Sequence, residues 1–178
     1  MHIRSGFNNK ALSESSYPKF NPHITLATFD VSSVPLHTIC SSIPTSQPSL
    51  TVDFKSIAIG SHYFRSVYLT IKPTHDLSTL HEHIHTTLGI EFRTPSFPHI
   101  SLCYIDDDDA KAGERENFLR EMESSGKVLR DGEDGVSLNC GEHGEEDWLA
   151  GFKAPEIWIV ECEGPVEGWQ ILEKVPLQ

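Results

Sequence analysis

The chain lacks any long hydrophobic run, has little cysteine, and carries no basic excess. No apolar stretch approaches the roughly 18 to 20 residues that a membrane-spanning helix needs. The opening MHIRSGFNNK also has no apolar segment of the kind that directs secretion. No membrane span is expected, and the expected address is cytoplasmic, with a nuclear or Golgi-associated location left open. The four cysteines, Cys40, Cys103, Cys140 and Cys162, are scattered without a C-x-x-C spacing, which argues against a disulfide framework or a zinc site. Lys and Arg number 14 against 26 Asp and Glu, for a formal charge of −12. The imbalance is local: residues 1–105 are nearly neutral, whereas residues 106–147 hold 5 basic against 15 acidic side chains. That segment would repel a long polyanion, so no long nucleic acid is expected as partner, while a small anionic ligand in the neutral part is compatible. The acids themselves read as a solvated, loop-rich stretch.

At 178 residues the chain suits one compact domain, expected to be a monomer. Residues 1–20 are polar and Ser-rich and read as a loop or a poorly ordered lead-in. HITLATF alternates, with Ile24 and Leu26 on one side and His23 and Thr25 on the other, the pattern of a half-buried strand. A short helix is predicted around 35–42. LTVDFKSIAIG and YFRSVYLTI read as strands joined by a hairpin at the Gly60-Ser61-His62 segment. Leu77, Leu80, Ile84 and Leu88 share a helical face, with Asp76 or Ser78 as candidate cap and Gly89 as stop. FPHISLCYI is a second alternating strand. The acidic run after it opens a helix, since carboxylates favour the positive end of the helix dipole. Strand-like pieces follow in VSLNCGEHGEEDWLAGF, and PEIWIVECEGPVEGWQILEKVPL reads as a terminal hairpin turning at Gly164-Pro165. The fold class is α+β, antiparallel sheets covered by helices.

One feature recurs. Pro22-His23-Ile24-Thr25-Leu26 and Pro98-His99-Ile100-Ser101-Leu102 spell nearly the same five residues. With ten histidines in the chain and Ser and Thr common, a bare His-x-(Ser/Thr) arises by chance once or twice. A third instance, His85-Thr86-Thr87, falls in the predicted helix, where that spacing splays the groups apart. The extended copies carry the weight. Residues i and i+2 of a strand lie on one face about 7 Å apart, so each copy presents an imidazole and a hydroxyl together. Two strands side by side would converge four such groups. The quartet suits metal-free phosphoester cleavage: one imidazole takes a proton from water, the other protonates the leaving oxygen, and the hydroxyls hold phosphate oxygens. His81 and His85 share a helix face, but no carboxylate follows at ligand spacing, and no metal or other cofactor is expected.

The two motifs resemble the signatures of the two-histidine (2H) phosphoesterase superfamily. The wider stretch from Asn21 to Ile105 is similar to the cyclic nucleotide phosphodiesterase branch of fungi and plants. IGSHYFRSVYLTI resembles that branch's strand pair between the motifs, and Tyr104 is similar to an active-site tyrosine there. The resemblance implies a bilobal fold with sheets lining a central cleft. It implies a small cyclic-phosphate nucleotide as substrate, with ADP-ribose 1″,2″-cyclic phosphate opened to the 1″-phosphate in disposal of a tRNA-splicing by-product, and nucleoside 2′,3′-cyclic phosphates to 2′-phosphates. Carried onto this sequence, His23 and His99 are the acid/base pair, with His99 favoured as base though the order stays open, and Thr25 and Ser101 bind phosphate. Tyr104, Tyr63, Phe64 and Arg65 are candidate substrate-binding residues. Tyr104 nominally faces away from Ser101, so a bulge or the strand's end must turn it. One of Tyr63 and Phe64 is expected to face away from the other. The family's strand and helix ahead of the first motif are expected to be missing, because only about twenty residues precede it. Two alternatives are an enzyme of the same superfamily acting on RNA ends or 2′,5′ linkages, and an inactive small-ligand binding module.

Overall fold

A computed structural model describes residues 13–30, 33–92, 97–141 and 144–178. After α1 (Leu36–Ser41), strands β1 (Leu50–His62) and β2 (Arg65–Ile71) form an antiparallel hairpin. Helix α2 (His75–Leu88) leads to β3 (His99–Cys103), then come α3 (Asp107–Lys111) and α4 (Glu114–Ser124). The remaining strands are β4 (Val128–Arg130), β5 (Val136–Asn139), β6 (Trp148–Leu149), β7 (Gly151–Ala154), β8 (Glu156–Glu161) and β9 (Gln170–Pro176). They form a four-stranded sheet in the order β3-β2-β1-β7, a three-stranded sheet β4-β5-β6 and the two-stranded hairpin β8-β9. Every ladder is antiparallel. The α+β class follows the sequence pattern, and the order of elements does so apart from the first strand and the helix of the acidic run.

The core lies on one face of the four-stranded sheet. Val52, Phe54, Val67, Leu69, Ile71 and Ile100 pack there with Leu77, Leu80 and Ile84 of α2 and with Phe118 and Met122 of α4. Each fully buried side chain of this size contributes about 1.5–3 kcal/mol relative to exposure. Helix α2 begins one turn earlier than Ser78: Thr74 is its cap, accepting a hydrogen bond from the Leu77 amide at 3.3 Å. Threonine competes well here because its hydroxyl satisfies an amide that has no partner within the helix. Gly89 closes α2 in the left-handed region, φ 63°.

Three further expectations change. The acidic run opens two helices, because Gly113, at φ 86°, interrupts them after α3. The hairpin between β1 and β2 turns at Tyr63-Phe64, since His62 still pairs with Arg65. Gly60 lies inside β1, where a Cβ would collide with the Arg65 carbonyl, so its role is close approach of the chains. Finally, HITLATF forms a single bridge, Ile24 to Ile100, in place of a regular strand. Pro22 has no amide hydrogen with which to extend a ladder.

Candidate active site

The bridge fixes the geometry of the repeated motifs. Ile24 opposes Ile100 in antiparallel sense, so one residue to either side His23 faces Ser101 and Thr25 faces His99. Side chains directly opposite across such a pair have Cβ atoms about 4.5–5.5 Å apart. Ile100 is buried and Ile24 packs against the core, which sends the flanking His23, Thr25, His99 and Ser101 to the other face. The two imidazoles and two hydroxyls thus alternate across a single strand pair. On its other edge, β3 pairs with β2, where Tyr68 faces Ser101 and Thr70 faces His99. The Tyr68 ring meets the His99 ring edge-on with centroids 5.4 Å apart. Thr70 is tied in turn to Ser56 by a 2.6 Å hydroxyl pair.

His23 is exposed, and its Nδ1 lies 2.7 Å from the Asn21 carbonyl oxygen. A carbonyl only accepts, so Nδ1 carries the hydrogen and Nε2 is the nitrogen free to exchange a proton. Ser101 is buried and donates its hydroxyl to the Phe64 carbonyl at 2.7 Å. Phe64 is therefore attached to the motif through its backbone.

Tyr104 reaches the same face through a bulge. Tyr68 pairs with Ser101 but the preceding Val67 pairs with Cys103, leaving Leu102 as an extra residue that shifts the alternation by one. The Tyr104 phenol is thereby brought beside Ser101. Burial, against the lowering effect of Ser101, pushes its pKa up to about 12, so the phenol stays protonated at neutral pH and is able to donate. Around it stand Phe20, stacked at 4.2 Å, and Tyr63 and Phe64 at 5.6 and 5.5 Å between centroids. Tyr63 and Phe64 also meet each other at 5.0 Å. The expectation that one of the two faces away assumed strand alternation; both occupy a tight turn, where it does not hold. Arg65 lies with its guanidinium 5.7 Å from the centre of the Tyr68 ring, within cation–π range.

Several contributors escaped sequence reading. Ser66, fully buried, donates to the Tyr63 carbonyl at 2.8 Å and accepts from the Ile105 amide at 2.9 Å; it binds the aromatic turn to the segment carrying Tyr104. Residues 13–20 are irregular, as expected, but firmly tied. Asp109 accepts from the Ser13 amide and the Ser16 hydroxyl, at 3.1 and 2.6 Å. The Tyr17 amide donates to the Tyr104 carbonyl at 2.7 Å. Asp109 and Glu114, both buried, show that two of the acids of 106–147 serve the interior. His81 and His85 form an aromatic packing group, their rings 4.2 Å apart, with Phe97 stacked on His81 at 3.9 Å and Phe92 on His85 at 4.7 Å. Among the described residues, no cluster of three or more His, Cys, Asp or Glu is arranged to hold a metal ion.

A family model described as cyclic phosphodiesterase-like protein matches residues 2–177. The chain is 25% identical over 125 residues to a cyclic phosphodiesterase of Arabidopsis thaliana, an alignment covering 66% of this chain and 67% of that protein. It is 27% identical over 131 residues to a 2′,3′-cyclic-nucleotide 3′-phosphodiesterase of Kluyveromyces lactis, covering 70% of this chain and 62% of the relative.

Proposed function

The chain belongs to the cyclic phosphodiesterase-like family, a family of phosphoric diester hydrolases, and on that footing we propose that it opens nucleoside 2′,3′-cyclic phosphates to 2′-phosphates and ADP-ribose 1″,2″-cyclic phosphate to the 1″-phosphate, without a metal. The observation that carries this reading is the Ile24–Ile100 bridge, because it brings two imidazoles and two hydroxyls to one face. His99 takes a proton from water as the oxygen attacks phosphorus. The bond from phosphorus to the 3′ oxygen breaks, and His23 delivers its Nε2 proton to that oxygen. The carbonyl contact at His23 Nδ1 holds a hydrogen there and leaves Nε2 as the nitrogen that delivers the proton. Thr25 and Ser101 hold the non-bridging oxygens, with the protonated Tyr104 as a further donor. To do so, the Ser101 hydroxyl turns from the Phe64 carbonyl to the phosphate, which couples the aromatic turn to substrate. Tyr63, Phe64 and Arg65 line the side on which the rest of the nucleotide lies.

The disposal of a tRNA-splicing by-product is the setting in which the ADP-ribose ester would be met. Incubation of the purified protein with 2′,3′-cyclic AMP, followed by phosphorus NMR, tests the proposal. A 2′-phosphate product formed equally in EDTA is expected; no turnover, or activity abolished by EDTA, counts against it.

A further inference from the structure

We propose that Trp169 is a base-recognition residue, forming with Phe64 the wall against which the nucleobase of a 2′,3′-cyclic nucleotide rests. The proposal rests on the reading of the site as a cyclic phosphodiesterase and extends it to a residue more than sixty positions beyond the second motif. Trp169 lies between β8 and β9, immediately after a 3-10 turn over Val166–Gly168. That turn is held by the Gly168 amide donating to the Pro165 carbonyl at 2.8 Å and by the buried Val166 side chain, so the indole is carried on a preset loop. It meets Phe64 with ring centroids 5.8 Å apart and an interplanar angle of 37°.

Three observations give this contact a ligand. First, Phe64 is 54% exposed, an unusual state for a phenylalanine that already touches three other rings; its open face is available to a flat partner. Second, the Phe64 carbonyl takes the Ser101 hydroxyl, so wall and phosphate seat are separated by the reach of one side chain. A ribose, which joins base to cyclic phosphate, spans that kind of interval. Third, the Trp169 indole N–H is buried and has no acceptor among the described residues. A donor left in that state is unfavourable, and a carbonyl or ring nitrogen on a base edge would satisfy it after a small rotation of the ring.

The test compares kcat/KM for 2′,3′-cyclic AMP with kcat/KM for 1-O-methylribose 2′,3′-cyclic phosphate, which keeps the reacting ester and lacks the base. In Trp169→Ala the ratio of the two values is expected to fall about ten-fold, through KM for the nucleotide, in line with the value of one base–aromatic stack. An unchanged ratio, at whatever absolute rates, overturns the proposal, since a merely structural tryptophan would depress both substrates alike. Should that variant fail to fold, Phe64→Ala, at an exposed turn position, carries the same expectation and the same refutation. A parent protein that opens neither ester would instead refute the catalytic reading itself.

Discussion

The hydroxyl of Tyr17 donates to the carboxylate of Glu114 at 2.7 Å, and both side chains are buried. Burial, then the bond itself, raises the Tyr17 pKa, so the phenol remains a donor at any pH the folded protein meets. Removing it in Tyr17→Phe leaves a buried carboxylate short of one partner. The expected loss is about 1–3 kcal/mol, read as a lower urea midpoint at unchanged slope. A midpoint equal to the parent's would mean that the contact stabilises nothing.

For the imidazoles, His23→Ala and His99→Ala are each expected to lower kcat by about 10² to 10⁴-fold with KM little altered, the usual range for a positioned acid or base. Steady-state rates on 2′,3′-cyclic AMP decide this. Parental turnover in either variant would remove that residue from the proposed acid/base pair.

Tyr104→Phe separates donation from titration. Because the phenol keeps its proton up to about pH 12, its loss should reduce kcat/KM about ten-fold, one hydrogen bond to a charged group, without moving either limb of the pH–rate profile. A shifted limb would show that the tyrosine is coupled to a histidine titration.

The His81–His85 pair gives stability a pH dependence. Burial, and then the neighbouring His85, lower the His81 pKa below its ordinary 6.5. The folded protein therefore prefers the neutral ring, and the unfolded chain takes up its proton first on acidification. The contribution is fully present above pH 6.5 and is lost as pH falls through the lower folded value. Urea midpoints measured from about pH 7.5 down to about pH 5.5 should fall, and His81→Gln should flatten that part of the slope. Identical slopes in parent and variant would exclude His81 as the source.

Much of the placement of the candidate site could be read in advance because strand alternation is a local rule. His23 with Thr25 and His99 with Ser101 needed nothing beyond the two-residue period, and the helical face of Leu77, Leu80 and Ile84 needed only the 3.6-residue one. Tyr104 was legible as a requirement, since some irregularity had to turn it; the pairing of Val67 with Cys103 supplies the irregularity. Where the hairpin turned was misread because Gly60 looks like a turn residue, whereas its missing side chain serves the close approach of Arg65. The acids were harder. Nothing local separates Asp109, which accepts from Ser13 and Ser16, from Asp108, which is exposed and paired with Lys111; the distinction lies in partners about ninety residues away. Trp169 belongs to the same class, since its neighbour Phe64 is distant in sequence and near only in space.

The bulge at Leu102 makes β3 a strand with two phases joined by one surplus residue. Upstream, the pleat is set by the bridge to Ile24; downstream, it is set by whatever follows the interruption. A deletion of Leu102 alone would merge the two phases and leave Tyr104 two residues past Ser101, on the same face by the ordinary two-residue period. It is pairing Leu102 in register, with the chain at its present length, that would turn the phenol away from the imidazoles, so the bulge decides which face of β3 Tyr104 joins.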